Sequence, residues 1–151
     1  MTTSTSAPPY SRAGTTLGRR ALAGLVGGIA GGIAFGVLMA AMGMLPMIAS
    51  MVGSNSPVVG FLVHILISIV IGLGLSVIFG NLLLTHYPRG VAVGVAYGAI
   101  WWVLGPLVVM PTILAMPLFT IDAGALFSLM GHLVYGAILG AVAVGILKHH
   151  R

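Results

Sequence analysis

Four stretches of the chain carry no Asp, Glu, Lys or Arg: residues 21–45, 58–84, 90–110 and 124–147. Each reaches the roughly 20 residues that a helix needs to cross a hydrocarbon core of about 30 Å. Between them lie three breaks. Residues 46–57 (PMIASMVGSNSP) hold two prolines and a polar run, 85–89 (THYPR) form a tight turn, and 111–122 (PTILAMPLFTID) are apolar but interrupted by Pro111 and Pro117. The pattern predicts an all-α membrane protein with four transmembrane helices. The third helix is expected to be kinked at Pro106, and 111–122 to dip into the outer interface as a short helix. Residues 1–18 are rich in Ser, Thr and Pro, have too little apolar content to pack, and read as a disordered tail before a single four-helix domain over 19–151.

Within the apolar stretches the glycines are ordered. Gly24, Gly28, Gly32 and Gly36 recur at a step of four, which places them on one helical face. In lipid such a bare ridge lets another helix approach closely. The step returns at Gly90, Gly94 and Gly98, and 28–36 and 90–98 share the pattern G-[IV]-A-x-G-[IV]-A-[FY]-G. Setting His64 on His132 also sets Gly72 on Gly140 and Ile78 on Ile146. The chain therefore reads as two tandem helical hairpins, an internal repeat. With two spans per copy both insert the same way, as parallel repeats about an axis along the membrane normal. The simplest packing crosses the two glycine ladders near that axis, with the second and fourth helices outside or beside them.

Composition agrees with lipid rather than water. The 151 residues are 59% hydrophobic and 5% charged, with 23 glycines, where a soluble domain carries about a quarter charged residues. Absence of cysteine excludes disulfides, thiolate metal sites and cysteine nucleophiles. A formal net charge of +5 does not point to nucleic acid, because the basic residues sit at segment ends. Arg12, Arg19, Arg20, Arg89, Lys148 and Arg151 all fall on one side of a four-span topology, and the other side carries only Asp122. The positive-inside rule then places both termini in the cytoplasm. The Arg19–Arg20 pair fits a positive-inside flank better than a twin-arginine export signal, since the span it precedes has a later repeat partner. His86, His149 and His150 read as interfacial caps.

Ionisable groups inside the spans reduce to His64 and His132, and intramembrane ionisable groups are functional candidates by default. The repeat expects them at matching depth, toward the outer ends of their helices. Four readings stay open. Each imidazole donates to a backbone carbonyl, or to Ser68 or Ser128, and locks packing. The pair forms a proton or small-solute path, histidine being the side chain that titrates near neutrality. The pair ligates a b-type haem, with room for a flat ring beside Gly131. Or the pair joins methionines near the outer end of the first hairpin (Met39, Met42, Met44, Met47, Met51) in a soft copper site, although thioethers in apolar helices ordinarily fill space. Trp101–Trp102 lies mid-span and reads as packing, or as a cofactor wall. No catalytic triad, paired carboxylates, phosphate loop or zinc spacing is present.

The stretch GVAVGVAYGAIWWVLGP, the following MPTILAMP, and Ser128-Leu129-Met130-Gly131-His132-Leu133-Val134-Tyr135 together resemble small bacterial inner-membrane proteins of the YagU-like type. The resemblance covers roughly 64–136. It implies an inner-membrane location and about four spans, and no settled activity. Together these observations give a non-enzymatic membrane protein, an accessory or assembly subunit, with a proton or small-solute path at His64 and His132 as its candidate activity. A haem-binding electron-transfer subunit is the alternative. The expected partners are lipid and either further copies of the chain or a larger membrane complex.

Overall fold

The computed structural model describes residues 15–83 and 86–148. The expected tail lies outside them as far as residue 14, as do Arg12, Thr85, His149, His150 and Arg151. Leu17 and Gly18, assigned to the tail, are already helical. Among the described residues there is no strand. Four helical spans, each 24 to 27 residues long, are long and apolar enough to cross a membrane.

Helix α1 runs Leu17–Ala41 and α2 Leu45–Ser50. The first span was expected to run to residue 45 and to break at Pro46. It stops at Ala41 instead, because Gly43 takes a left-handed φ of +67°, a conformation glycine adopts without a Cβ clash. Pro46 sits in the first turn of α2, where its missing N–H costs nothing. Helix α3 covers Pro57–Leu83 and α4 Tyr87–Leu104, with His86 extended at its N-cap. Tyr87, Pro88 and Arg89, expected in the turn, form the first turn of α4. The kink expected at Pro106 is a π-helical turn, Gly105–Val109, continued by α5, Met110–Ile113. Residues 114–122 are irregular rather than a short helix, with left-handed φ at Ala115 and Phe119. Helix α6, Ala123–Lys148, starts from an Asp122 cap whose Oδ1 accepts the Ala125 N–H at 2.8 Å.

The helices lie side by side in the order α3, α1, α6, α4. The glycine ladders do not meet each other, contrary to the crossing expected from sequence: α1 and α4 make no close backbone approach. Each ladder is turned onto the second helix of its own hairpin. A Cβ on Gly24 would stand 2.6 Å from the Gly72 carbonyl oxygen, and one on Gly28 2.6 Å from that of Ser68. In the second hairpin Gly90, Gly94 and Gly98 press on the backbones of Gly140, Gly136 and His132. The physical reason is that a bare ridge packs best on another bare ridge, and Ser68–Gly72 and Gly136–Gly140 supply one within each hairpin. With His64 set on His132, Gly24 and Gly28 take the places of Gly90 and Gly94, one helical turn away from the match of 28–36 with 90–98.

The two hairpins join through a second face of α1. Gly27 receives Leu139, Gly31 receives the Tyr135 ring, and Phe35 fills the space over Gly131. Ala23, Ala143, Val144 and Leu147 extend this seam in a fully buried cluster. At the same end, Arg19 Nη2 donates to the Ile146 carbonyl at 2.5 Å and Arg20 Nη1 to that of Val77 at 3.2 Å. Ile146 lies in the last turn of α6, where carbonyls lack intrahelical donors.

Candidate functional site

At the end opposite the arginines the bundle opens. A cavity of about 440 Å³ lies between α3 and α4, roofed by α2 and the 111–122 segment and backed by α6. Its wall is apolar and rich in thioethers: Met39, Met44, Met47, Met51, Met110 and Met116 line it, six of the nine methionines in the chain. Among the described residues no lysine or arginine lines it; Asp122 and Thr120 stand at its outer edge. Two tyrosine hydroxyls close the inner side. Tyr135 donates to the Ser68 carbonyl at 2.6 Å, and Tyr97 to the Ile71 carbonyl at 3.0 Å. Beyond them the glycines bring helix backbone against helix backbone.

His64 and His132 both line the cavity. The structure brings them together on one ring: Phe35 meets His64 edge-on at 5.0 Å between centroids and His132 at 4.8 Å. Their hydrogen bonds differ. His64 Nε2 faces the Gly32 carbonyl at 3.1 Å and ties α3 to α1. His132 Nδ1 faces the Ser128 carbonyl at 2.8 Å, within its own helix, with Ser128 Oγ at 3.4 Å. A carbonyl only accepts, so each of these ring nitrogens carries the proton, and in a neutral imidazole the other is a lone pair. His64 Nδ1 and His132 Nε2 have no partner among the described residues. Neither is sealed away, since Ser76 Oγ is the one fully buried side-chain polar atom there without a hydrogen bond. His132 Nε2 points toward the π turn, 3.9 Å from where a Cβ on Gly105 would be.

No family model, no curated protein and no solved structure matches the chain. The site is therefore judged on its own geometry. A haem between His64 and His132 does not fit the site as it stands: the room beside Gly131 is taken by the Phe35 ring, which lies against both imidazoles. For the copper reading, the methionines of the first hairpin, except Met42, wall the same cavity as the two imidazoles. Trp101 lines the cavity and stacks edge-on with Tyr97 at 6.1 Å, while Trp102 Nε1 pins α4 to the start of α6 through the Ala125 carbonyl at 2.8 Å.

Phe35 and Tyr135 were not singled out by the sequence reading, yet they organise the site. The signal for Phe35 was present. It occupies the aromatic position of the glycine motif over 28–36, as Tyr97 does in the matching motif over 90–98, and both project from glycine-lined turns into the middle of the bundle. Gly27 and Gly31, also passed over, lie one residue before Gly28 and Gly32 and so face a different neighbour.

Proposed function

We propose that this chain is a non-enzymatic, multi-pass protein of a bacterial inner membrane that holds a small, largely apolar solute in its outer half. Its termini lie in the cytoplasm, its two hairpins are parallel repeats, and it works within a homo-oligomer or a larger membrane complex as an accessory subunit. The observation that carries the reading is the asymmetry of the bundle. Glycine-to-backbone contacts close the arginine end, and the opposite end keeps a methionine-walled space of about 440 Å³. That size lies in the range of small-ligand pockets, roughly 300–1,000 Å³, and flexible thioethers suit a binding wall that adapts to its occupant. The basic residues at the closed end support the orientation. The likeness to YagU-like proteins rests on the Gly131–His132 stretch and is part of the same proposal. Of the two paths considered for the histidines, the solute reading is favoured over proton relay, because Phe35 stands against both imidazoles and each is held by a carbonyl.

The test is saturable binding of the neutral fluorophore N-phenyl-1-naphthylamine to the protein in nanodiscs. Ala125 lines the cavity, so Ala125→Trp fills it. Wild type should show saturable enhancement and the variant only the background of empty nanodiscs. Equal, unsaturable partitioning in both would remove the cavity reading.

A further inference from the structure

The cavity wall is apolar, and yet a strong hydrogen-bond acceptor on His132 stands in it unused. Nδ1–H of His132 is spent on the Ser128 carbonyl at 2.8 Å, which fixes the tautomer and the ring orientation. This leaves Nε2 as a bare lone pair, turned toward Gly105 on the cavity wall. The π turn that carries Gly105 contains Pro106 and widens the helix opposite the imidazole; such turns occur often at binding sites. Glycine at 105 matters here because its missing side chain keeps the approach to Nε2 open: the imidazole nitrogen is the sole atom a Cβ would find within 4 Å. The second bare nitrogen, His64 Nδ1, belongs to a ring packed on the same Phe35.

We infer that the occupant is a neutral, lipid-soluble molecule bearing a hydroxyl on an aromatic ring, a phenol or quinol, which donates to His132 Nε2. This rests on the solute reading above and narrows it. The chemistry argues class by class. An anionic lipid or fatty acid would meet no cation, since among the described residues no lysine or arginine lines the cavity. A cation would be desolvated against thioethers with only Asp122, at the exposed edge, to compensate it. A pure hydrocarbon would leave Nε2 unpaired. A phenolic hydroxyl satisfies that acceptor, and its ring matches the aromatic and thioether wall formed by Phe35, Trp101 and the methionines. Entry is from the membrane, since Ile67 of α3 and Val109 beyond α4 are at once cavity-lining and exposed.

The experiment titrates nanodisc-embedded protein with para-heptylphenol and with its methyl ether, which keeps the ring and tail but loses the donor. Binding is read from tryptophan fluorescence, because both tryptophans of the chain adjoin the site. Wild type should bind the phenol about ten-fold more tightly than the ether, the effect of leaving a buried acceptor unpaired. In His132→Phe the difference should collapse while the ether still binds. Gly105→Val, which covers Nε2 and leaves the His132–Ser128 bond in place, should weaken the phenol selectively and serves if His132→Phe fails to fold. Equal affinity of wild type for phenol and ether, or a preference that survives both substitutions, overturns the inference and leaves the cavity reading standing. Absence of saturable binding by either probe removes both. Tighter binding of heptylamine than of the phenol also overturns the inference.

Discussion

At Gly94 a single methyl group is enough to hold two helices apart. Its Cβ would fall inside the Gly136 carbonyl oxygen, and that oxygen belongs to helix backbone that cannot swing away. Gly18 is on the same kind of helix but has nothing within 4 Å. Gly94→Ala should therefore cost about 1–3 kcal/mol, as overpacking of a tight contact does, while Gly18→Ala should cost nothing measurable. Reversible unfolding by steric trapping in bicelles checks this, and equal stabilities for the two variants would contradict it. The step of four that marks these glycines was legible in sequence because helix geometry converts it into a face. Their partners were not, because a bare face does not say which other bare face it meets. Gly72 and Gly140 were visible as repeat positions, and the structure shows them to be the opposing surfaces. His64 and His132 read as a matched pair from their spacing alone; their different carbonyl partners and the Phe35 ring against them depend on rotamers that no spacing encodes.

Among the elements, the starts of α3 and α6 lie within a residue of the apolar stretches, whereas the end of α1 is set by Gly43 and not by the proline three residues later. The segment after α4 shows what prolines do when they come in series. Pro111 has no N–H to offer the Leu107 carbonyl, which in an α-helix is its partner four residues back. Phe119 fills that gap from the irregular segment, its N–H bonding Leu107 O at 3.0 Å while its own φ is left-handed at +54°. The cavity roof is thus anchored by a bond that a proline makes available. Pro111→Ala supplies a competing donor. Exchange of the Phe119 amide should accelerate at least about ten-fold in that variant, as local opening becomes cheaper, while amides in the middle of α6 stay unchanged. An unaltered Phe119 rate would show that the roof is held some other way. The sequence announced an interruption at Pro106 and Pro111, but a π turn, as opposed to a simple kink, depends on how Trp102 and Leu107 are received by neighbouring segments.

For the whole molecule, the decisive feature is the order of the helices. With α1 in contact with both α3 and α6, glycine seams run along both sides of one helix, and α3 and α4 are left to face each other across the cavity with little direct contact. Had the ladders crossed, α1 and α4 would occupy the middle and the methionine-walled space could not form where it does. The four spans and the grouping of charge at one end were legible because lipid imposes length and polarity so strictly; the pairing was not, because α1 carries two glycine faces, one at Gly24 and Gly28 and one at Gly27 and Gly31, and spacing does not say which helix each meets. The natural absence of cysteine makes the order directly measurable. The Gly27–Leu139 and Gly31–Tyr135 contacts set a register that places Ala23 opposite Ala143, and both are fully buried in the α1–α6 seam, which makes them the pair to join by a disulfide, whose Cα atoms stand about 5.5–6 Å apart. Ala34 and Ala96, equivalent positions of the two glycine motifs, lie on α1 and α4, which do not approach. Oxidation in native membranes should cross-link Ala23→Cys/Ala143→Cys within one chain and leave Ala34→Cys/Ala96→Cys free. No cross-link in the first pair would show that α1 does not pack on α6 in this register, and the cavity with its two imidazoles would have to be abandoned.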